Sequence, residues 1–400
     1  MKPITPLILF SALIISGCGG AQQNTGPLPV IDLTAQYPQK DIVLQDIADI
    51  EYLSLNGKDA PLIGQVSIAY ISNECYILYD RQHGEVFVLE KDGTVRCHFN
   101  QTGNGPKEYT RIGHLTYDPQ KREIYIVDTY GSNAILVYTE TGTFIQNFQE
   151  YARQYVSELY NFDSQTLLAY IRPFRPDPNI LNHTTPYLFL SKQTGEIESR
   201  LSLCFPERLS STMGFTLPDG QYAGIAISVS ADSRKYGDHF LIADLSADTL
   251  YILSKERSLT PVLARTPSVY AQDPFVAWSV GLMTEKFISI ATVKYDFEAM
   301  RTAALNNQPM PQISGEEYLF YFQNHEFISP NFINADWPAR NPGIGMYKVS
   351  MDEKNMSAEI IQAERLVEAL EKGELSGKLK EVAQTLTYDD NPVLMLLRYK

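Results

Sequence analysis

The feature that most restricts this chain is a unit that recurs about every 45 residues. Residues 67–99 read SIAYISNECYILYDRQHGEVFVLEKDGTVRCHF. They alternate β-branched and aromatic runs with turn signals: strand, Ser-Asn turn, strand, loop, strand, Asp92-Gly93 turn, strand. Residues 114–148 repeat the order, with an Asp118-Pro119 turn, a strand ending in Asp128 and a Thr141-Gly142 turn. Four short antiparallel strands repeated at this period form the sequence pattern of a propeller blade, since one such sheet cannot bury both faces alone.

Later units are looser. LYNFDSQTLLAYIRPF with TPYLFLSKQTGEIESRLSL makes a third blade, interrupted by a Pro-rich insertion over 172–186. YAGIAISVS with HFLIADLSADTLYILSKERSLTPVLA makes a fourth, and PFVAWSVGLMTEKFISIATVKYDF with EYLFYFQNHEF a fifth. Residues 306–317 read as plain linker. GIGMYKVSMDEKNMSAEII begins a sixth blade, completed by strands from the two chain ends; seven is the alternative count. Within 364–386 the apolar residues change to a spacing of three and four, predicting an amphipathic helix pair broken near Gly373 and Gly377. VLMLLRYK then predicts a closing strand that removes an exposed sheet edge. The expected fold is therefore all-β: a six-bladed propeller of four-stranded antiparallel blades with a short C-terminal helical segment. It occupies residues 30–400 as one domain.

QTGNGPKEY (101–109) tests whether a phosphate-binding chain is possible. A third glycine is missing, no Ser or Thr follows Lys107, and Pro106 removes a backbone N–H that a phosphate nest would use. The stretch reads as a corner between blades, with Gly103 and Gly105 supplying backbone freedom and Tyr109 anchoring the next strand. The formal charge of −14, from 33 basic and 47 acidic residues, argues against a nucleic-acid partner. Cys75, Cys97 and Cys204 form no CxxC or Cys/His cluster; Cys75 and Cys97 are expected as buried thiols, with a disulfide as the alternative.

Gly103, Gly105, Tyr109, Val127, Asp128, Ile135, Val137 and Tyr138 together resemble an NHL-type propeller repeat. Lys107 stands where that repeat commonly has glycine, and Asn133-Ala134-Ile135 lacks its Arg. At the N-terminus, one Lys precedes an apolar run from Ile4 to Ile15 that is too short to span a bilayer. Ile15-Ser16-Gly17-Cys18 resembles a bacterial lipobox, which implies removal of 1–17, lipidation of Cys18 and a tether over 18–29. With VIDL near the start and DDNPVLMLLRYK at the end, the chain resembles six-bladed propeller lipoproteins of Bacteroidota. That resemblance implies a cell-envelope location, anchored to the membrane and facing the periplasm from the outer membrane.

Two function classes follow. One is a non-enzymatic module binding an envelope protein, a peptide or a glycan. The other is a metal-dependent hydrolase or lyase of the NHL-like or lactonase-like kind, holding calcium or zinc at the channel mouth. Binding candidates are Arg172, Arg175 and His183 in the Pro-rich insertion, and Asp128 at a strand end. The bland reading of Asp128 is a turn cap, repeated by Asp80 and Asp244 in other blades. The six histidines show no ligand spacing, and no catalytic residue is assigned.

Overall fold

The computed structural model describes residues 27–400 except 58–59, 129–130, 133, 149–155, 172–184, 204, 206, 210–211, 218–219, 227–232, 273 and 341–354. Its sheets form a six-bladed propeller. Blade 1 (Ser67–Ile71, Cys75–Tyr79, Glu85–Glu90, Val95–Asn100) and blade 2 (Ile112–Asp118, Glu123–Asp128, Ile135–Thr139, Phe144–Phe148) are the two repeats read from sequence. Blade 3 is Val156–Asn161, Thr166–Ile171, Tyr187–Ser191 and Ile197–Arg200. Blade 4 (Ser233–Tyr236, His239–Ile242, Thr249–Leu253, Leu259–Thr266) carries Val30–Asp32 as a fifth, parallel outer strand. Blade 5 (Phe275–Met283, Phe287–Tyr295, Ser314–Tyr321, Glu326–Ile333) likewise carries Gln39–Val43. In blade 6 the described strands are Met356–Ile361, Val393–Tyr399 and Ala48–Ser54, so the N-terminal strand pairs with the C-terminal one and closes the ring.

Three expectations change. YAGIAI belongs not to blade 4 but to a separate hairpin, Thr212–Thr216 with Tyr222–Ala226. Its alternation suits any strand; only pairing decides which sheet receives it. Blade 4 starts instead at Ser233. The second strand of blade 5 is followed by a helix, Phe297–Leu305, whose N-cap Asp296 accepts a bond from Ala299 N at 2.9 Å. Residues 314–317, read as linker, lie within the third strand of that blade. The helix pair is present as Ala363–Glu371 and Gly377–Ala383.

The blades pack by a repeated device. In the third-to-fourth-strand turns of blades 1, 2 and 3 a glycine sits against the last strand of the preceding blade, while blades 4 and 5 have Arg257 and His325 at positive φ there. A Cβ on Gly142 (φ +79°) would lie 2.5 Å from the Phe99 ring, and one on Gly195 (φ +77°) 2.5 Å from the Phe148 ring. Only glycine takes this left-handed backbone without strain while allowing that approach. Inner strands are also tied in sequence around the channel. Leu159 N donates to His114 Nδ1 (3.2 Å), Tyr160 Oη to Ser233 O (3.0 Å) and Arg234 Nε to Val280 O (2.7 Å).

The corner at 101–109 joins blades 1 and 2 and is anchored by Tyr109 as the sequence suggests, but Gly103 and Gly105 are not at positive φ; they serve by leaving room for Glu108. Tyr109 is fully buried; its hydroxyl donates to Gly84 O (2.7 Å) and accepts from Gln101 N (3.0 Å). Glu108 reaches back to Gly105 N at 2.8 Å, occupying the space a Gly103 side chain would need. Cys75 and Cys97 are free thiols, the latter donating to Glu140 O. Cys204 lies outside the described residues.

Candidate functional site

An antiparallel meander returns the chain to the same side of the ring after its second strand and again after its fourth. Second-to-third-strand loops and blade-to-blade connectors therefore share one side. On the other side the turns are short, such as Lys91–Thr94 and Glu140–Thr143. The described elaborations all fall in the first group: the hairpin at 212–226, the helix at 297–305 and the helix pair at 363–383. Thr166–Ile171 and Tyr187–Ser191, which flank the Pro-rich insertion, also meet that side.

Asp128 lies here, 1% exposed, and its carboxylate is used within the protein. It accepts from Thr110 N (3.2 Å), Arg111 N (3.3 Å), Ser132 N (2.8 Å) and Ser132 Oγ (3.0 Å), tying a loop of blade 2 to the incoming connector. Asp80 accepts from Gln82 N and His83 N, and Asp244 from Ser246 N and the Tyr170 hydroxyl. The repeated Asp is thus a loop-ordering element in three blades. Beside Asp244, buried Arg208 donates to Tyr170 Oη and to Ile171 O, pinning the base of the insertion. Arg172, Arg175, His183 and Cys18 lie outside the described residues.

At the channel, His114 and Glu158 come from adjacent inner strands. Burial pushes the His114 pKa down, opposed by the Glu158 charge, and the bond it accepts at Nδ1 places its proton on Nε2. Lys235, on the inner strand of blade 4, is pushed down to about 8 by burial, with Asp238 opposing. Among the described residues, no group of three or more His, Cys, Asp or Glu side chains converges in a way that could hold a metal ion.

A groove of about 500 Å³ lies between blades 4 and 5. It arises from strand length. Phe275–Met283 and Phe287–Tyr295 are nine residues long, against four for the inner and second strands of blade 4. The lower rows of the blade 5 sheet, with Trp278, Val280, Ile290 and Tyr318, pack into the core between the blades. The upper rows, Val276–Lys294–Ser314 and Thr292–Glu316, overhang it and form the floor. The opposite wall is Pro267, Ala271, Gln272 and Pro274 of the blade 4-to-5 connector, with Leu33 and Thr34.

That wall is fixed by blade 4. Buried Arg265 donates to Pro267 O (3.1 Å), Val276 O (2.8 Å) and Gln272 Oε1. Asp248 accepts from Ser268 Oγ (2.5 Å) and Val269 N (2.7 Å), and Tyr270 Oη donates to Ser246 O (2.9 Å). The sequence reading missed this site because its floor residues sit in segments taken as ordinary strand and linker. The available signal was the polar alternation of Thr292, Lys294, Ser314 and Glu316 at the ends of otherwise apolar strands.

A protein of Bacteroides fragilis NCTC 9343 whose name assigns it to export shares this fold. It has a TM-score of 0.64 at 15% identity, over 93% of this chain and 99% of that one. A DUF4221 family member from Bacteroides vulgatus matches over 89% and 99% at 9% identity and a TM-score of 0.46. Virginiamycin B lyase from Staphylococcus aureus matches over 70% and 87% at 10% identity and 0.34, and neither of these two is near enough to argue from. No curated protein matches the sequence. The family described as Domain of unknown function (DUF4934) matches residues 28–265, more than half of the chain, and the protein belongs to that family.

Proposed function

We propose that this protein is an extracytoplasmic, lipid-anchored propeller that binds an envelope protein, peptide or glycan through its elaborated side. The observation that carries this reading is the asymmetry of the ring. Every described insertion opens on one side, beside a preformed groove, and loops held on a rigid scaffold are where binding surfaces are built. Arg172, Arg175 and His183 belong to this proposal as ligand contacts, because the strands flanking them meet that side, and Asp128 as the residue ordering a neighbouring loop. The lipobox at Cys18, the tether over 18–29, the periplasm-facing outer-membrane address and the NHL-like and Bacteroidota lipoprotein resemblances also belong to it. Among the described residues no helix is long and apolar enough to cross a membrane. The metal-dependent alternative has no converging ligand set in the described channel mouth to support it.

Two experiments test the proposal. Cys18→Ala should move the protein from the membrane to the soluble fraction, and continued detergent-only extraction would sink the anchor. Photo-crosslinkers placed at Met310 and Tyr388, 52% and 48% exposed on the elaborated side, should capture an envelope component that one at Ile145, on the outer strand of blade 2, does not. Equal capture from all three positions, or none, would refute the one-sided binding surface.

A further inference from the structure

The groove between blades 4 and 5 carries two opposite charges that do not pair with each other. Lys294 lies opposite Ser314 and Thr292 opposite Glu316, so Lys294 and Glu316 are diagonal neighbours on one sheet face. Such positions lie about 7–8 Å apart. The Lys294 side chain is exposed and its ammonium makes no ion pair or hydrogen bond among the described residues, in a protein whose formal charge is −14. Glu316 is exposed too, but the Tyr318 hydroxyl donates to its Oε2, turning that oxygen to its own strand and leaving Oε1 open. Two adjacent, unpaired charges above a floor already set by strand pairing form a dipolar receptor.

The surroundings fix what would fill it. Leu33, Pro267 and Val276 supply apolar wall and floor, while Thr34, Ser314 and Gln272 rim the space with polar groups. A volume of about 500 Å³ suits a small ligand rather than a folded domain. Arg265 lies under the connector with Asp248 3.8 Å away. Its buried charge is balanced by Asp248, so Lys294 is the cation that the groove presents. An α-amino acid would leave most of a groove of about 500 Å³ empty and holds both charges on one carbon. A chain of a few residues fills that space and carries its two charges at separate ends.

We infer that this groove binds short peptides with free ends, the terminal carboxylate on Lys294 and the terminal ammonium on Glu316. This rests on the binding reading above and names the ligand class of one of its sites. The wall needs no rearrangement, because Arg265, Asp248 and Tyr270 already hold it, so the ordering cost falls on the ligand and the Lys294 side chain.

The test is calorimetric titration of the full chain in detergent with trialanine, N-acetyl-trialanine and trialanine amide. Trialanine should bind saturably, and capping either end should weaken binding tenfold or more. Lys294→Gln should make trialanine and its amide equivalent, and Glu316→Gln should make trialanine and its acetyl form equivalent. Denaturation midpoints matching the parent show that both variants fold. Equal affinity for capped and free peptides, unchanged binding in Lys294→Gln, or no saturable binding by any of the three overturns the inference. Crosslinking from Met310 and Tyr388 is read separately: its persistence without peptide binding leaves the one-sided binding surface standing and removes only the assignment of this groove.

Discussion

The hydroxyl of Tyr109 offers a test of how blade corners are held. It bonds two backbone groups at once, Gly84 O at 2.7 Å and Gln101 N at 3.0 Å, on a residue that is 0% exposed. Tyr109→Phe keeps the ring and its edge-to-face contact with Tyr138 at 5.8 Å, so no cavity opens. What is lost is the partner of one carbonyl and one N–H. Each buried group left unsatisfied costs about 1–3 kcal/mol. Gln101 is only part-buried and water reaches it after slight relaxation, so the sum falls at roughly 2–4 kcal/mol. At about 2.1 cal/mol/K per residue, the roughly 320 described residues give an unfolding entropy near 0.7 kcal/mol/K, so Tm should drop by roughly 3–6 °C. Tyr138→Phe is the internal control. Its hydroxyl donates to Lys107 O alone, at 2.7 Å in a part-buried site, and the expected loss is about 1 kcal/mol. Both variants should be measured by denaturant titration, with the midpoint falling and the m-value unchanged. If Tyr109→Phe costs no more than Tyr138→Phe, the double bridge is not what holds the corner.

Two further perturbations probe buried charge. Lys192 is 0% exposed along its side chain and places Nζ 2.5 Å from Asp118 Oδ2, Asn161 Oδ1 and Asp163 O, joining blade 3 to blade 2. Lys192→Met should cost about 3–5 kcal/mol by stranding Asp118, and Asp118→Asn in the same chain should restore part of it. Strict additivity in that double-mutant cycle would refute the coupling. For Lys235, the folded pKa of about 8 lies below that of the unfolded chain, so between those values the unfolded state holds the extra proton. Stability should therefore rise as pH climbs from about 8 towards 10, and Lys235→Met should flatten that rise in pH-dependent unfolding. Parallel profiles for parent and variant would remove Lys235 as its source.

What the sequence revealed and what it hid divide along physical lines. Blades 1 and 2 were legible because local turn chemistry, at Asp92-Gly93 and Thr141-Gly142, coincides with strand pairing between neighbours in the chain. The closing strand was legible because an apolar run after a helix pair has few other uses. Tyr222–Ala226 was misassigned because alternation reports a strand and not its partner, and that partner, Thr212–Thr216, has a weak pattern of its own. The helix at 297–305 had a readable start at Asp296, but a β rhythm on both sides masked it. The groove was hidden for a different reason: it depends on how far one blade outreaches its neighbour, which becomes visible only when the two sheets lie side by side.

The first strands of the chain have a mechanical consequence. They lace along three successive outer edges: Val30–Asp32 on blade 4, Gln39–Val43 on blade 5 and Ala48–Ser54 on blade 6. The paired rungs number three, then five, then seven. A load arriving through the residues before Val30 meets these attachments in series, weakest first. The outer strands of blades 4 and 5 can peel away and reseal while Ala48–Ser54 keeps the ring shut. Under tension the N-terminal strap would act as a graded fuse, letting go at the rim before the seam of the propeller is strained.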